Sequence, residues 1–124
     1  MAYAAVVTVT RRGSEILVEI AETDCEATSE ATVTLAVNKF KIHRQMCELD
    51  SGTGTTIDPI IGNAANPSGI AVLLSNDTAA EAVDNSLTGG ICCFDADGVL
   101  YHRSQPDAGT DNSCTSLYLI SVGW

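Results

Sequence analysis

Apolar and polar residues alternate with a period of two along much of this chain. In Glu15–Glu22, EILVEIAE, the side chains of Ile16, Val18 and Ile20 fall on one face, and Glu15, Leu17 and Glu19 on the other. Val33, Leu35 and Val37 alternate in the same way with Thr32, Thr34 and Ala36. Near the end of the chain, Tyr118, Ile120 and Val122 separate from Leu117, Leu119 and Ser121. Residues two apart share a face only when the backbone is extended, so the pattern demands strands. The apolar bulk comes from Val, Ile, Leu, Ala and Thr, with aromatics at only 5%. β-Branched side chains suit a pleated surface and disfavour a helix.

Turn chemistry divides the strands. Arg11–Ser14, RRGS, joins the first apolar run to EILVEIAE as a hairpin, with Gly13 free to take a positive φ. Asp95–Gly98, DADG, lies between ICCF and VLYHR and predicts a second hairpin. Lys39–Leu49 is expected as a strand, with a helix as the alternative. A single helical turn is expected around Ala79–Val83, and a short buried strand around Val72. Pro59, Pro67 and the glycines from Gly52 onward argue against a regular central strand there. Seven to nine short strands in 124 residues predict one domain over residues 1–124. That domain is all-β: an antiparallel β-sandwich, jelly-roll or immunoglobulin-like, with long loops.

Sixteen acids against six bases give a formal charge of −10. Such a chain is repelled by nucleic-acid backbones and by anionic membranes, so neither is an expected partner. No stretch approaches the roughly 20 apolar residues of a membrane-spanning helix. The first ten residues carry no positive charge, and the expectation is synthesis in the cytoplasm. The five cysteines are odd in number and include no Cys-x-x-Cys pair, which predicts buried thiols in place of a disulfide framework. Cys92 and Cys93 point to opposite faces of a strand. His43 and Cys47 stand roughly 13 Å apart if extended, too far to share an ion. Whether Cys25, Cys47 and Cys114 converge is a question for tertiary structure.

The remaining motifs do not assemble a reaction. Leu49–Asn63, LDSGTGTTIDPIIGN, has the glycines of a phosphate loop but no lysine, and Asp50 and Asp58 flank it. DADG lacks the later ligands of a calcium loop. His102, Ser104 and Asp107 are close in sequence, but a catalytic triad is built by spatial roles. Glu15 with Glu19, and Asp77 with Glu81, have no aromatic platform beside them and are expected to be solvated. No catalytic residue, metal or cofactor is expected.

Three segments, MAYAAVVTVTRRGSEILVEIAETDCEATSEAT, LDSGTGTTIDPIIG and LYHRSQPDAGTDN with LYLISVGW, resemble small virion proteins of tailed bacteriophages. More narrowly, the chain resembles capsid decoration, or cement, proteins. The resemblance implies a homotrimer on the outer surface of the virion. It would bind the major capsid protein shell and stabilise it against the pressure of packaged DNA. A tail or head-fibre adaptor and a carbohydrate-binding surface module are the alternatives. A small enzyme would require His102, Ser104 and an acid to meet in a pocket. Loops rich in Gly, Thr, Ser and Asn can adapt to a partner while a rigid scaffold holds them. The longest is SGTGTTIDPIIGNAANPSG, where Ile57, Ile60 and Ile61 are candidate apolar anchors and Asn63 a candidate polar contact. Tyr3 and Trp124 are candidate aromatic contacts at the two ends. The acidic surface would face basic patches on the shell.

Overall fold

The structure is a computed structural model that describes residues 2–67, 72–75, 80–94 and 97–122. Among them it contains nine strands and no helix: β1 (Ala4–Arg12), β2 (Glu15–Cys25), β3 (Ala31–Thr34), β4 (Lys39–Ser51), β5 (Ile60–Gly62), β6 (Val72–Ser75), β7 (Ala82–Phe94), β8 (Val99–Arg103) and β9 (Asn112–Val122). They form two antiparallel sheets, in the orders β1-β2-β9-β4-β7 and β3-β8-β5-β6. The all-β sandwich expected from the alternation is therefore the fold.

The pairing is nested. β2 pairs with β9, β3 with β8, β4 with β7 and β5 with β6. From β2 onward every connection except β5 to β6 passes from one sheet to the other. This is the winding of a jelly roll, a long double strand wrapped around its own core. It excludes the immunoglobulin-like alternative, whose strands A-B-E-D and C-F-G divide differently. β1 is an addition at the edge of the larger sheet, paired only with β2 from Ala4↔Thr23 to Arg12↔Glu15.

The inward faces are those the alternation marks. Ile16, Val18 and Ile20 of β2, Phe40 and Ile42 of β4, and Tyr118 and Ile120 of β9 meet Val33, Ile61, Leu74 and Leu100 of the smaller sheet in one core. One irregularity decides the rest. Against β9 the register of β4 shifts between Ile42 and Arg44, which makes His43 the extra residue of a β-bulge; against β7 the extra residues, 87–90, lie on β7. Without it, Arg44, Met46 and Glu48 would follow Phe40 and Ile42 inward. With it, Gln45, Cys47 and Leu49 are buried and Arg44 turns out to pair with Asp84, at 2.6 and 2.8 Å.

Three local expectations are corrected. β7 and β8 do not form the hairpin expected around DADG, because they lie in different sheets; Asp95 and Ala96 lie outside the described residues. Lys39–Leu49 is strand, as expected, with its two edges paired to β7 and β9. The helical turn expected at Ala79–Val83 gives way to β7 from Ala82, while Ala79 lies outside the described residues. A strand does form among the prolines. β5 is three residues long and sits between β8 and β6, with Pro59 before it and Pro67 beyond it, so neither ring interrupts a pair.

Replacing Ile42, which is fully buried, by Ala is expected to lower the unfolding free energy by about 2–5 kcal/mol. Urea denaturation at neutral pH measures this.

Candidate functional site

The nested winding brings β2, β4, β8 and β9 together at one end of the sandwich, and there the inward positions turn polar. Glu22, Gln45, His102, Ser104 and Ser116 are all within 1% of complete burial. A carboxylate removed from water has to be met by donors, and Glu22 is. Its Oε2 accepts from the Tyr3 hydroxyl at 2.7 Å and from the Cys25 thiol at 3.5 Å. Its Oε1 accepts a short hydrogen bond from the Ser104 hydroxyl and faces His102 Nε2 at 3.3 Å.

Two relays of donors converge on this carboxylate. Ser116 donates to Cys47 Sγ at 3.0 Å, and Cys47 to Ser104 Oγ at 3.5 Å. Gln45 Nε2 donates to the Tyr118 oxygen at 3.1 Å, which directs the phenol proton to His102 Nδ1, 2.6 Å away. The imidazole proton is then on Nε2, pointing to Ser104 at 2.9 Å and to Glu22. The His102 and Tyr118 rings meet edge to face, with centroids 5.5 Å apart. Burial opposes ionisation of Glu22, but His102, Ser104 and Tyr3 outweigh it and hold the pKa below the ordinary glutamate value. Burial, then the charge of Glu22, push the Tyr3 phenol up, and burial does the same to Tyr118.

His102, Ser104 and an acid thus do converge, and the acid is Glu22, not Asp107. The arrangement differs from a triad in two ways. Serine and carboxylate both engage Nε2, whereas a relay needs them on opposite ring nitrogens. No side of the cluster is open to a substrate, because His102, Ser104 and Ser116 are each at 0% exposure. In this state the cluster braces the two sheets.

The thiols converge at the same end. Cys25, Cys47 and Cys114 pack with Leu49, Ile57 and Val83, and all are free. Burial pushes the Cys47 thiol up to about 12, and its contact with Cys114 followed by burial pushes Cys25 up. Buried and held protonated, Cys25 and Cys47 are poor nucleophiles. Among the described residues, no three His, Cys, Asp or Glu side chains are placed to hold a metal ion.

The glycine-rich loop has a different job from the one expected of it. Its backbone amides do cradle anions, but the anions are the chain's own carboxylates. Thr55 and Thr56 donate their amides to Asp107 Oδ1 at 2.7 and 3.0 Å, and the Thr55 hydroxyl reaches Oδ2 at 2.9 Å. The Thr53 amide and hydroxyl reach Asp111 at 3.1 Å each, and the Gly54 amide reaches Asn112 Oδ1 at 2.8 Å. These bonds hold Asp107 at about 2, the Thr56 and Thr55 amides first among the causes. Gly52, at φ +126°, passes so close to β9 that an added Cβ would lie 2.6 Å from the Asn112 backbone. The segment is clamped to the loop before β9, so it is not supple.

The candidate contact residues scatter. Ile57, Ile60 and Ile61 are 1%, 4% and 1% exposed and belong to the interior, so they offer nothing to a partner surface. Asn63 is half-buried just beyond β5. Tyr3 is half-buried too, with its hydroxyl committed to Glu22. Trp124 lies outside the described residues. Exposed apolar side chains are found instead on the larger sheet. Leu17 of β2 and Leu119 of β9 are register partners at 39% and 38% exposure, and the next pair in, Leu117 and Met46, is half-buried. Glu22 is the functional residue that sequence reasoning missed. The signal was present, because Glu22 continues the inward series Ile16, Val18, Ile20.

No protein-family model matches this chain, and no curated protein matches it significantly.

Glu22→Gln is expected to destabilise the protein at neutral pH by about 1.5–3 kcal/mol, through loss of charge-assisted hydrogen bonds to a buried carboxylate. The folded pKa of Glu22 is depressed, so its contribution is complete above the unfolded value of about 4.3 and is lost as pH falls through the lower, folded value. Urea midpoints followed downward from pH 6 should therefore fall more gently in Glu22→Gln than in the native protein. In Asp107→Ala, hydrogen exchange at the Thr55 and Thr56 amides should accelerate. In the native protein that protection should persist down to about pH 2, where Asp107 takes its proton.

Proposed function

We propose that this chain is a structural protein of a tailed-phage virion, a capsid decoration protein that binds the outer surface of the major capsid protein shell as a homotrimer. The observation that carries this reading is where the chemistry lies. Glu22, His102, Ser104, Ser116 and Cys47, the groups that cluster, are sealed between the sheets, while the outer face of the larger sheet presents Leu17, Leu117, Leu119 and Met46 to a partner. A scaffold whose interior is braced and whose outer face is apolar suits adhesion, with no turnover required. The jelly roll is an architecture shared by viral shell proteins and lectins; that is an analogy of fold, and the contact surface has to stand on its own residues.

The contact therefore moves from the clamped loop at 52–56 to the sheet face. A net charge of −10 keeps free copies apart and suits a shell surface with basic patches. Each contact can be weak, because many copies on one particle engage together. The test is co-sedimentation of the purified protein with expanded shells of the phage that encodes it, alongside native mass spectrometry of the free protein. A trimer that pellets with shells, and a Leu117→Glu variant that stays in solution while folded, are expected. A strict monomer that ignores the shells would sink the proposal.

A further inference from the structure

A groove of about 620 Å³ crosses the outer face of the larger sheet where β1, β2, β9 and β4 run side by side. Its volume falls within the ~300–1,000 Å³ of small-ligand sites. The floor is apolar: Leu17 and Leu119 lie opposite one another in the β2–β9 register. The polar groups are Arg12, Glu15, His43 and Ser121. We infer that this groove is a binding site for a small free monocarboxylic acid with an apolar chain, the carboxylate held by Arg12 and the His43–Ser121 pair and the chain lying over Leu17 and Leu119.

The polar end is built by specific departures from regular structure. His43 is the bulged residue of β4, and bulges re-aim side chains at sites. The bulge sets its Nε2 2.6 Å from Ser121 Oγ. On the other side, the backbone of Gly90 closes against the imidazole; an added Cβ there would lie 3.1 Å from both His43 Cε1 and Nδ1, at a φ of +73°. The ring is thus wedged between β7 and β9. Arg12, across the groove, makes no ion pair among the described residues, not even with its register partner Glu15. An uncommitted guanidinium is a forked donor suited to a carboxylate.

Charge selects the ligand class. The chain as a whole is strongly acidic, yet this end of the sheet gathers Arg11, Arg12, Lys39, Lys41 and His43, with Lys41 in register with Ser121. Glu15 is the one acid in the lining. The Arg12 guanidinium and Lys41, in register with Ser121, favour an anion, and Glu15, in register with both Arg12 and Ser121, disfavours more than one negative charge. The two leucines demand apolar length, so acetate is too short. The groove shares Leu17 and Leu119 with the proposed shell contact, but ligand binding is a property of the free chain, so the titration and the shell experiment can fail separately.

The test is calorimetric titration of the full chain with octanoate, acetate and octylamine, together with amide shift mapping of the native protein by NMR. Octanoate should bind saturably at one site. Acetate lacks the chain and octylamine reverses the charge, so both should bind at least about tenfold more weakly. Arg12→Gln should weaken octanoate at least about tenfold through loss of the charge-assisted bonds. In the native protein the shifts should cluster on Thr10, Arg12, Leu17, His43, Leu119 and Ser121, and this reading holds even if the variant fails to fold. The inference is overturned if octanoate shows no saturable binding at millimolar concentration. It is equally overturned if octylamine binds as well, if folded Arg12→Gln binds unchanged, or if the shifts fall elsewhere.

Discussion

A carboxylate taken out of water needs several donors at once, and Glu22 draws them from every layer of the structure. Tyr3 precedes β1, Cys25 ends β2, His102 belongs to β8 and Ser104 follows it, and behind them stand Gln45 of β4 and Tyr118 and Ser116 of β9. A shift of β2 by one residue would expel Glu22, bring Ala21 inward and leave His102 and Ser104 with unmet hydrogen bonds. Strand register is strongly specified where one face is buried. Here the polar partners on that face add a further penalty for misalignment, about 1–3 kcal/mol for each buried hydrogen-bonding group left unmet.

The same constraint separates interior from exterior. At one end the sandwich is held by directed hydrogen bonds, and elsewhere by aliphatic packing around Phe40 and Tyr118. The groups with the most reactive chemistry are spent on cohesion. The loop at 52–56, which in another setting would present its amides to a phosphate, presents them to Asp107 and Asp111. What is left for partners is the outer face of the larger sheet, where the β4 bulge exposes Arg44 and Met46 and turns His43 onto Ser121.

The extent to which this was legible in the sequence differs from element to element. The alternation in Ile16, Val18 and Ile20 and in Tyr118, Ile120 and Val122 identified strands and their inward faces, because period two is a local property of an extended backbone. Glu22 was on that series and could have been recognised as buried by continuing it. The strand among Pro59 and Pro67 was hidden because three residues give too little pattern. DADG has the composition of a hairpin turn, yet composition reports only that the chain bends, and not whether the strands on either side rejoin in one sheet.

The sequence by itself determined the all-β class, the inward and outward faces of the regular strands and the acidity, all of which depend on residue type and near-neighbour spacing. Tertiary structure alone decided the nested pairing, the meeting of Glu22 with His102, Ser104 and the thiols, the burial of Ile57, Ile60 and Ile61, and the groove at Arg12 and His43. Each of those is a contact between residues tens of positions apart. Winding the double strand closes such distances, and the bulge at His43, one residue in a long strand, reverses which face every later residue of β4 presents.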